Sequence, residues 1–431
     1  MARKIDIVRN EIDLETGTSV ARSRVTGLAG SILTLNAGSS SLKFAIFHTD
    51  AELTAVVRGE IEDLDSAPHF IARDATGAVL AERRWPAPPS PPFAILLDEL
   101  LTFTDAQLGQ RGLTAVGHRV VHGGGDHRAP ERVTPALLVA LKALTPLDPL
   151  HMPHSLAPIR AIAAVRPDLA QVACFDTAFH HTLPPAASQY ALPREMYAAG
   201  VRSYGFHGLS YEYIASRLAQ QSPDLARGRV IAAHLGSGAS LCALQGGVSI
   251  ATTMGFSALD GLIMATRCGR LDPGVILYLG RQGRSFAEIE DMLYHRSGLL
   301  GVSGVSGDIR VLLASDDPHS REALELFTYR IAVEIGGLVS ALGGLDGLIF
   351  SAGIGEHAPL IRAAVCARLA WLGLRLDEAA NESSRTCISR PDSTIAVHII
   401  ATDEEAMIAH HTQATVRPAG DRLGLPKGHP R

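Results

Sequence analysis

A short apolar run, a small polar turn and a second apolar run occur twice in this chain. The first is Leu-Thr-Leu-Asn36-Ala-Gly38-Ser39-Ser40-Ser41-Leu-Lys43-Phe-Ala-Ile-Phe, residues 33–47. This pattern predicts a β-hairpin whose tip offers backbone N–H groups, the Ser39 and Ser41 hydroxyls and the Lys43 ammonium to a phosphate chain. The second is Ile-Ala-Ala-His234-Leu235-Gly236-Ser237-Gly238-Ala-Ser240-Leu-Cys-Ala-Leu, residues 231–244. Two phosphate-type hairpins, one in each half, predict a duplicated domain that closes on a nucleotide. Neither contains the spacing of a P-loop, and no strand is followed by G-x-G-x-x-G and a helix.

The remaining pattern alternates strands and helices and so predicts the α/β class. Residues 30–60 read as strands, and a Pro-rich stretch at 86–92 precedes an amphipathic helix from about 93 to 104. Residues 116–121 read as a strand in which a period of two places Arg119 and Val121 on one face and His118, Val120 and His122 on the other. A cation and a methyl group facing one cleft suit a small carboxylate. Residues 155–167 read as a helix, and Ala170–Phe175 as a strand delivering Asp176 at its C-terminal end, where α/β folds place ligands. Further helices are predicted at about 210–220, 273–280 and 319–342 and from near Glu404, with strands at 347–350 and 394–400.

Composition narrows the function. A formal charge of −5 and 5% aromatic residues leave neither a basic footprint nor a stacking platform for nucleic acid. A substrate anion must therefore be met by a few local arginines. Five single cysteines, Cys174, Cys242, Cys268, Cys366 and Cys387, lack metal spacing and read as reduced, mostly packed thiols of a cytoplasmic protein. The most apolar stretch, about 331–350, carries Glu334, Asp346 and several glycines, so it reads as a buried helix running into a strand rather than a membrane span. Residues 1–29 mix both charges without an apolar core and read as an N-terminal extension.

The chain resembles the acetate kinases. The likeness rests on Asn36 to Lys43, His118-Arg119-Val-Val121-His122-Gly-Gly, Phe175-Asp176-Thr-Ala-Phe-His180, Tyr204-Gly-Phe206-His207-Gly, Thr253-Met-Gly-Phe256 to Thr266-Arg267-Cys-Gly, Gly304-Val-Ser-Gly-Asp308-Ile309-Arg310, Gly353-Ile354-Gly355-Glu356 and Thr402-Asp403-Glu404-Glu405. The resemblance implies the two-lobed fold shared by acetate and sugar kinases, Hsp70 and actin, with two duplicated RNase H-like domains and a cleft between them. Residues 30–178 and 404–431 would form the first domain and 179–403 the second, nucleotide-binding one. It also implies reversible phosphoryl transfer between ATP and acetate in a cytoplasmic homodimer, with Mg²⁺ required and Mn²⁺ as its substitute.

Phosphoryl transfer needs cations around the equatorial oxygens, a metal on the polyphosphate and an in-line nucleophile. A carboxylate is already ionised at pH 7, so no general base is required. The resemblance places Arg119 and Arg267 on either side of the transferring group and makes His207 and His151 its histidines. Asp176 and Glu404 are the metal carboxylates, with Asn36 beside them and Glu405 as the alternative to Glu404. Val121, Leu150, Phe206 and Ala258 would line the acyl pocket, where Ala258 stands in place of the family's usual proline. The hairpin residues Ser39, Ser41, Lys43 and His234 to Gly238 would meet the phosphates, while Asp308, Ile309, Arg310 and a turn at Gly353-Ile354-Gly355 would flank the adenosine. The other departures are Ser237 for an asparagine, Met152 within His-Met-Pro, and Leu209 and Tyr211 after His207-Gly208. The same chemistry on propionate or butyrate is the nearest rival, and an ATP-driven conformational protein of the Hsp70 or actin type is the rival of another class.

Overall fold

The computed structural model describes residues 30–38, 40–50, 52–86 and 90–417. The predicted extension at 1–29 and Ser39 lie outside them. The first sheet contains β1 (Ser31–Ala37), β2 (Leu42–Thr49), β3 (Leu53–Glu62), β4 (His69–Asp74), β5 (Val79–Arg84), β6 (Leu113–Val120), β7 (Glu131–Arg132) and β8 (Ala170–Phe175), in the order β5-β4-β3-β2-β1-β6-β8-β7. The second contains β9 (Arg229–Leu235), β10 (Ala239–Gln245), β11 (Val248–Thr252), β12 (Gly347–Ser351) and β13 (Ala396–Ile399), in the order β11-β10-β9-β12-β13. Three antiparallel strands followed by two parallel ones recur in both: β3-β2-β1-β6-β8 has the same plan as β11-β10-β9-β12-β13. The duplication read from the two hairpins is thus a duplication of whole sheets.

β1 is buried along nearly its whole length rather than alternating. It has helices on both faces: Met152–Val165 packs on one side, and Glu404–Val416 returns from the end of the chain to pack on β1, β6 and β8. A strand covered on both faces loses the period of two and keeps only its apolar run. The helix Glu404–Val416 starts where Asp403 accepts a hydrogen bond from the Ala406 N–H at 2.9 Å. That cap fixes where Glu404 and Glu405 point. Helices 152–165, 208–221, 273–281 and 318–342 fall within a few residues of their predicted spans.

One predicted element is different. Gly353-Ile354-Gly355 is not a turn but the body of a helix, Ala352–His357, entered through a left-handed Ala352 (φ 63°). Its glycines read as a turn because local pattern does not reveal that Arg362, fully buried, ties its end by donating to the Gly355 and Glu356 carbonyls at 3.0 and 2.9 Å. Among the described residues, no helix is long and apolar enough to cross a membrane.

Candidate active site

Strand β6 carries Arg119, and Asp176 follows the last residue of the neighbouring β8, its N–H donating to the Val120 carbonyl at 3.1 Å. Arg119 donates through Nε and Nη2 to Asp176 Oδ2 at 2.9 and 2.5 Å, and through Nη1 to Asn36 Oδ1 at 3.3 Å. Asn36, at the end of β1, donates through Nδ2 to Glu404 Oε2 at 2.9 Å and Glu405 Oε1 at 3.3 Å. Segments more than three hundred residues apart in sequence therefore meet in one polar cluster. Its amide oxygen is turned to Arg119, so Asn36 bridges the acids to the arginine.

Asp176 is fully buried, and its Oδ1 has no hydrogen-bond partner among the described residues. Burial lifts its carboxyl to about 6, although Arg119 pulls it down. Burial likewise raises Glu405, with the adjacent Glu404 adding repulsion. An unpartnered buried carboxylate oxygen beside two further carboxylates is a set of hard oxygen donors short of positive charge.

Opposite lies His207, which precedes the helix Gly208–Gln221 in a left-handed conformation (φ 57°). A side-chain-bearing residue there stores strain, and such strain concentrates at functional positions. Gly208 allows this approach: its N–H donates to the Asp176 carbonyl at 3.0 Å, and a Cβ on it would stand 2.0 Å from that oxygen. The His207 ring stacks on His234 with centroids 4.1 Å apart. Burial holds His207 well below the ordinary imidazole value, helped by His234, Arg119 and Arg267. His234, the penultimate residue of β9 before the second hairpin tip, is lowered to about 4, chiefly by burial. Both rings are neutral at pH 7.

Arg267 donates to the Ala258 carbonyl at 3.0 Å and to His151 Nε2 at 3.2 Å. Since an arginine only donates, His151 Nε2 is an acceptor and its proton sits on Nδ1, donated to the buried Asp148 at 2.8 Å. Asp148 was not singled out in the sequence; its place three residues before His151 was the available signal. Val121, Phe206 and Ala258 are buried in one apolar cluster. Leu150 is only half-buried and is not a member of it.

The described residues of the two tips are alike in exposure, with Ser40 and Ser237 exposed and Gly38, Ser41, Gly236 and Gly238 half-buried. At the first, Gly38 N–H donates to the Ser41 carbonyl at 2.8 Å, while Lys43 lies exposed on β2. At the second, Gly236 N–H donates to the Gly238 carbonyl at 3.0 Å, and the Ser237 carbonyl accepts from Ala265. Leu235 is buried at the end of β9. Ala352, ahead of Gly353, Ile354 and Gly355, packs beside Gly236: a Cβ built there would lie 3.7 Å from that of Ala352. Asp308 and Arg310 are paired with each other at 2.6 Å on the short helix Ile309–Leu313, with Ile309 buried beneath.

The profile of the acetokinase family matches residues 31–410. A Rhodopseudomonas palustris protein named acetate kinase is 53% identical over 387 residues, 88% of this chain and 97% of that protein. One from Rhizobium meliloti with the same name is 47% identical over 391 residues, 89% of this chain and 98% of its own. Among solved structures, a propionate kinase from Francisella tularensis superposes with a TM-score of 0.83 at 35% identity, covering 90% of this chain and all of that one. Porphyromonas gingivalis acetate kinase does so with a TM-score of 0.80 at 33% identity, again over 90% and 100%.

Proposed function

The chain belongs to the acetokinase family, and on that premise we propose that it is an ATP:carboxylate phosphotransferase, interconverting acetate and ATP with acetyl phosphate and ADP by direct in-line transfer. The observation that carries this reading is the meeting of Arg119, Arg267, His207 and His151 with Asn36, Asp176 and Glu404, beside the apolar cluster of Val121, Phe206 and Ala258. Apolar groups take the acyl methyl, and the cations take the carboxylate and the equatorial phosphoryl oxygens. Arg119 stays protonated: burial disfavours its charge, but Asp176 and Glu404 more than offset that. Arg267, lowered by burial, has no carboxylate partner among its hydrogen bonds, so its charge is not neutralised by the protein and can meet the substrate anion. Neutral His207 donates to an equatorial oxygen, and no residue has to remove a proton from the acid.

Asp176, with its unpartnered Oδ1, and Glu404 would hold Mg²⁺, which takes one or two carboxylates together with waters and substrate phosphates, while Asn36, its amide oxygen turned to Arg119, would reach the ion through a water. Bound there, the ion would neutralise charge on the polyphosphate. The two hairpin tips cradle the phosphates, and Asp308, Ile309, Arg310 and Gly353 to Gly355 flank the adenosine. The reading extends to a first lobe of 30–178 with 404–431, a second of 179–403, and a cytoplasmic homodimer. The helix Pro273–Arg281 supports the dimer: none of its residues is buried, although it carries Val275, Ile276, Leu277 and Tyr278.

Propionate is the second reading, favoured by Ala258 where the family resemblance gives proline. Initial-rate ADP release with acetate, propionate and no acid distinguishes these. Acid-dependent release supports the phosphotransferase, whereas equal release without any acid supports an ATP-driven conformational protein.

A further inference from the structure

The proposed reaction uses the Nε2 side of His207; a chain of hydroxyls occupies its other side. His207 Nδ1 lies 2.8 Å from Ser240 Oγ, which lies 2.6 Å from the Tyr211 hydroxyl. Ser240 and Tyr211 are both fully buried. Their positions are fixed by secondary structure. Ser240 sits on β10 opposite His234 of β9, and Tyr211 comes four residues after His207, one turn along the helix that His207 begins.

Counting donors settles the direction of this chain. The Tyr211 proton has no acceptor except Ser240 among the described residues. If Ser240 donated to Tyr211, the phenol proton would be left buried and unpaired, at the full cost of its desolvation. Tyr211 therefore donates to Ser240, and Ser240 donates to Nδ1. A neutral imidazole that accepts at Nδ1 carries its proton on Nε2. That atom faces the second hairpin tip, since a Cβ on Gly238 would stand 3.2 Å from it. A matching chain lies alongside, where Thr402 donates to Ser210 and Ser210 faces His234 Nδ1, both at 2.8 Å.

We propose that Ser240 and Tyr211 are positioning residues that hold His207 as the Nε2–H tautomer, aimed at the hairpin tip. Its consequence for rate rests on the phosphotransferase reading: the opposite tautomer would turn a lone pair toward an anionic phosphoryl group. The loss falls on kcat rather than KM, because the hydrogen bond is needed as charge develops.

The test is long-range ¹H–¹⁵N correlation of ¹⁵N-histidine-labelled protein at pH 7.5, with steady-state kinetics on the same samples. Wild type should show His207 protonated on Nε2 alone. Ser240→Ala should show both tautomers and a kcat roughly 10-fold lower with little change in either KM. Tyr211→Phe should do the same less strongly, about 3-fold, and serves if Ser240→Ala does not fold; Ser240→Thr, which keeps the hydroxyl, should restore the tautomer. An unchanged Nε2–H tautomer in Ser240→Ala, or in Tyr211→Phe should that variant alone fold, overturns the proposal. A tautomer that responds in a protein making no acyl phosphate would leave the relay standing and sink the phosphotransferase reading instead.

Discussion

At the scale of single residues, the site depends on which arginine is already engaged. Arg119 is bound to Asp176 and Asn36, whereas Arg267 donates to a carbonyl, a thioether sulfur and a histidine, none of them charged partners. Arg119→Ala and Arg267→Ala should each lower kcat by roughly 10²-fold or more, since each removes a cation facing developing charge. Arg119→Ala should also destabilise the fold, because it leaves Asp176 buried without its partner, at a cost of about 3 kcal/mol or more. Arg267→Ala should cost less. Thermal melting and steady-state rates of the two variants check this, and near-normal turnover in both would remove the anion clamp. Arg267, His151 and His207 are candidates through the family likeness, whereas Arg119 is also marked by the period of two that sets it with Val121 on one strand face. The sequence did not show that Asp148, Ser240 and Tyr211 orient them, because a hydrogen bond across two strands or along a helix turn leaves no local pattern.

At the scale of elements, Ala170–Phe175 is read to the residue, since its buried apolar run stops where Asp176 begins. β4 and β5 escaped notice: their apolar runs, Phe70-Ile71-Ala72 and Val79-Leu80-Ala81, are short and give way to charged residues, and of these only Phe70 and Ala72 are buried. The Gly353–Gly355 segment misled because glycine is common in turns, yet here a buried arginine secures it as helix. The segment carrying Ala258 lies between β11 and the helix Pro273–Arg281 and ends against Arg267. Ala258→Pro should depress propionate kcat/KM more than acetate kcat/KM, within about 1 to 3 kcal/mol for a methylene-sized change. No acceptor among the described residues takes the Ala258 N–H, so the ring forfeits no hydrogen bond. An unchanged ratio in a folded variant would remove Ala258 from the acyl pocket.

At the scale of the whole molecule, buried histidines tie stability to pH. His118, His122, His180 and His234 are each lowered to about 4, chiefly by burial. Between about 6.5, the unfolded value, and 4, the unfolded chain binds more protons, so stability is lost as pH falls through that window. Asp176, raised to about 6 by burial, works in the opposite sense, as do Glu405 and Asp260, but they stand against these four histidines and the likewise lowered His48, His207, His398 and His410. Tm measured at pH 7.5, 6 and 5 should fall progressively, each histidine costing on the order of 2 kcal/mol at pH 5; a flat Tm to pH 5 would contradict this. The duplicated sheets were legible from two hairpins, because each repeats one order of apolar strand, polar tip and apolar strand, whereas the return of Glu404–Val416 to the first sheet was implied only by the family likeness. The phosphotransferase claim itself is tested most directly by trapping the acyl phosphate with hydroxylamine in the presence of acetate, ATP and Mg²⁺. Acetohydroxamate formed in step with ADP, and abolished in Arg119→Ala, is the predicted result. ADP released without hydroxamate would contradict it.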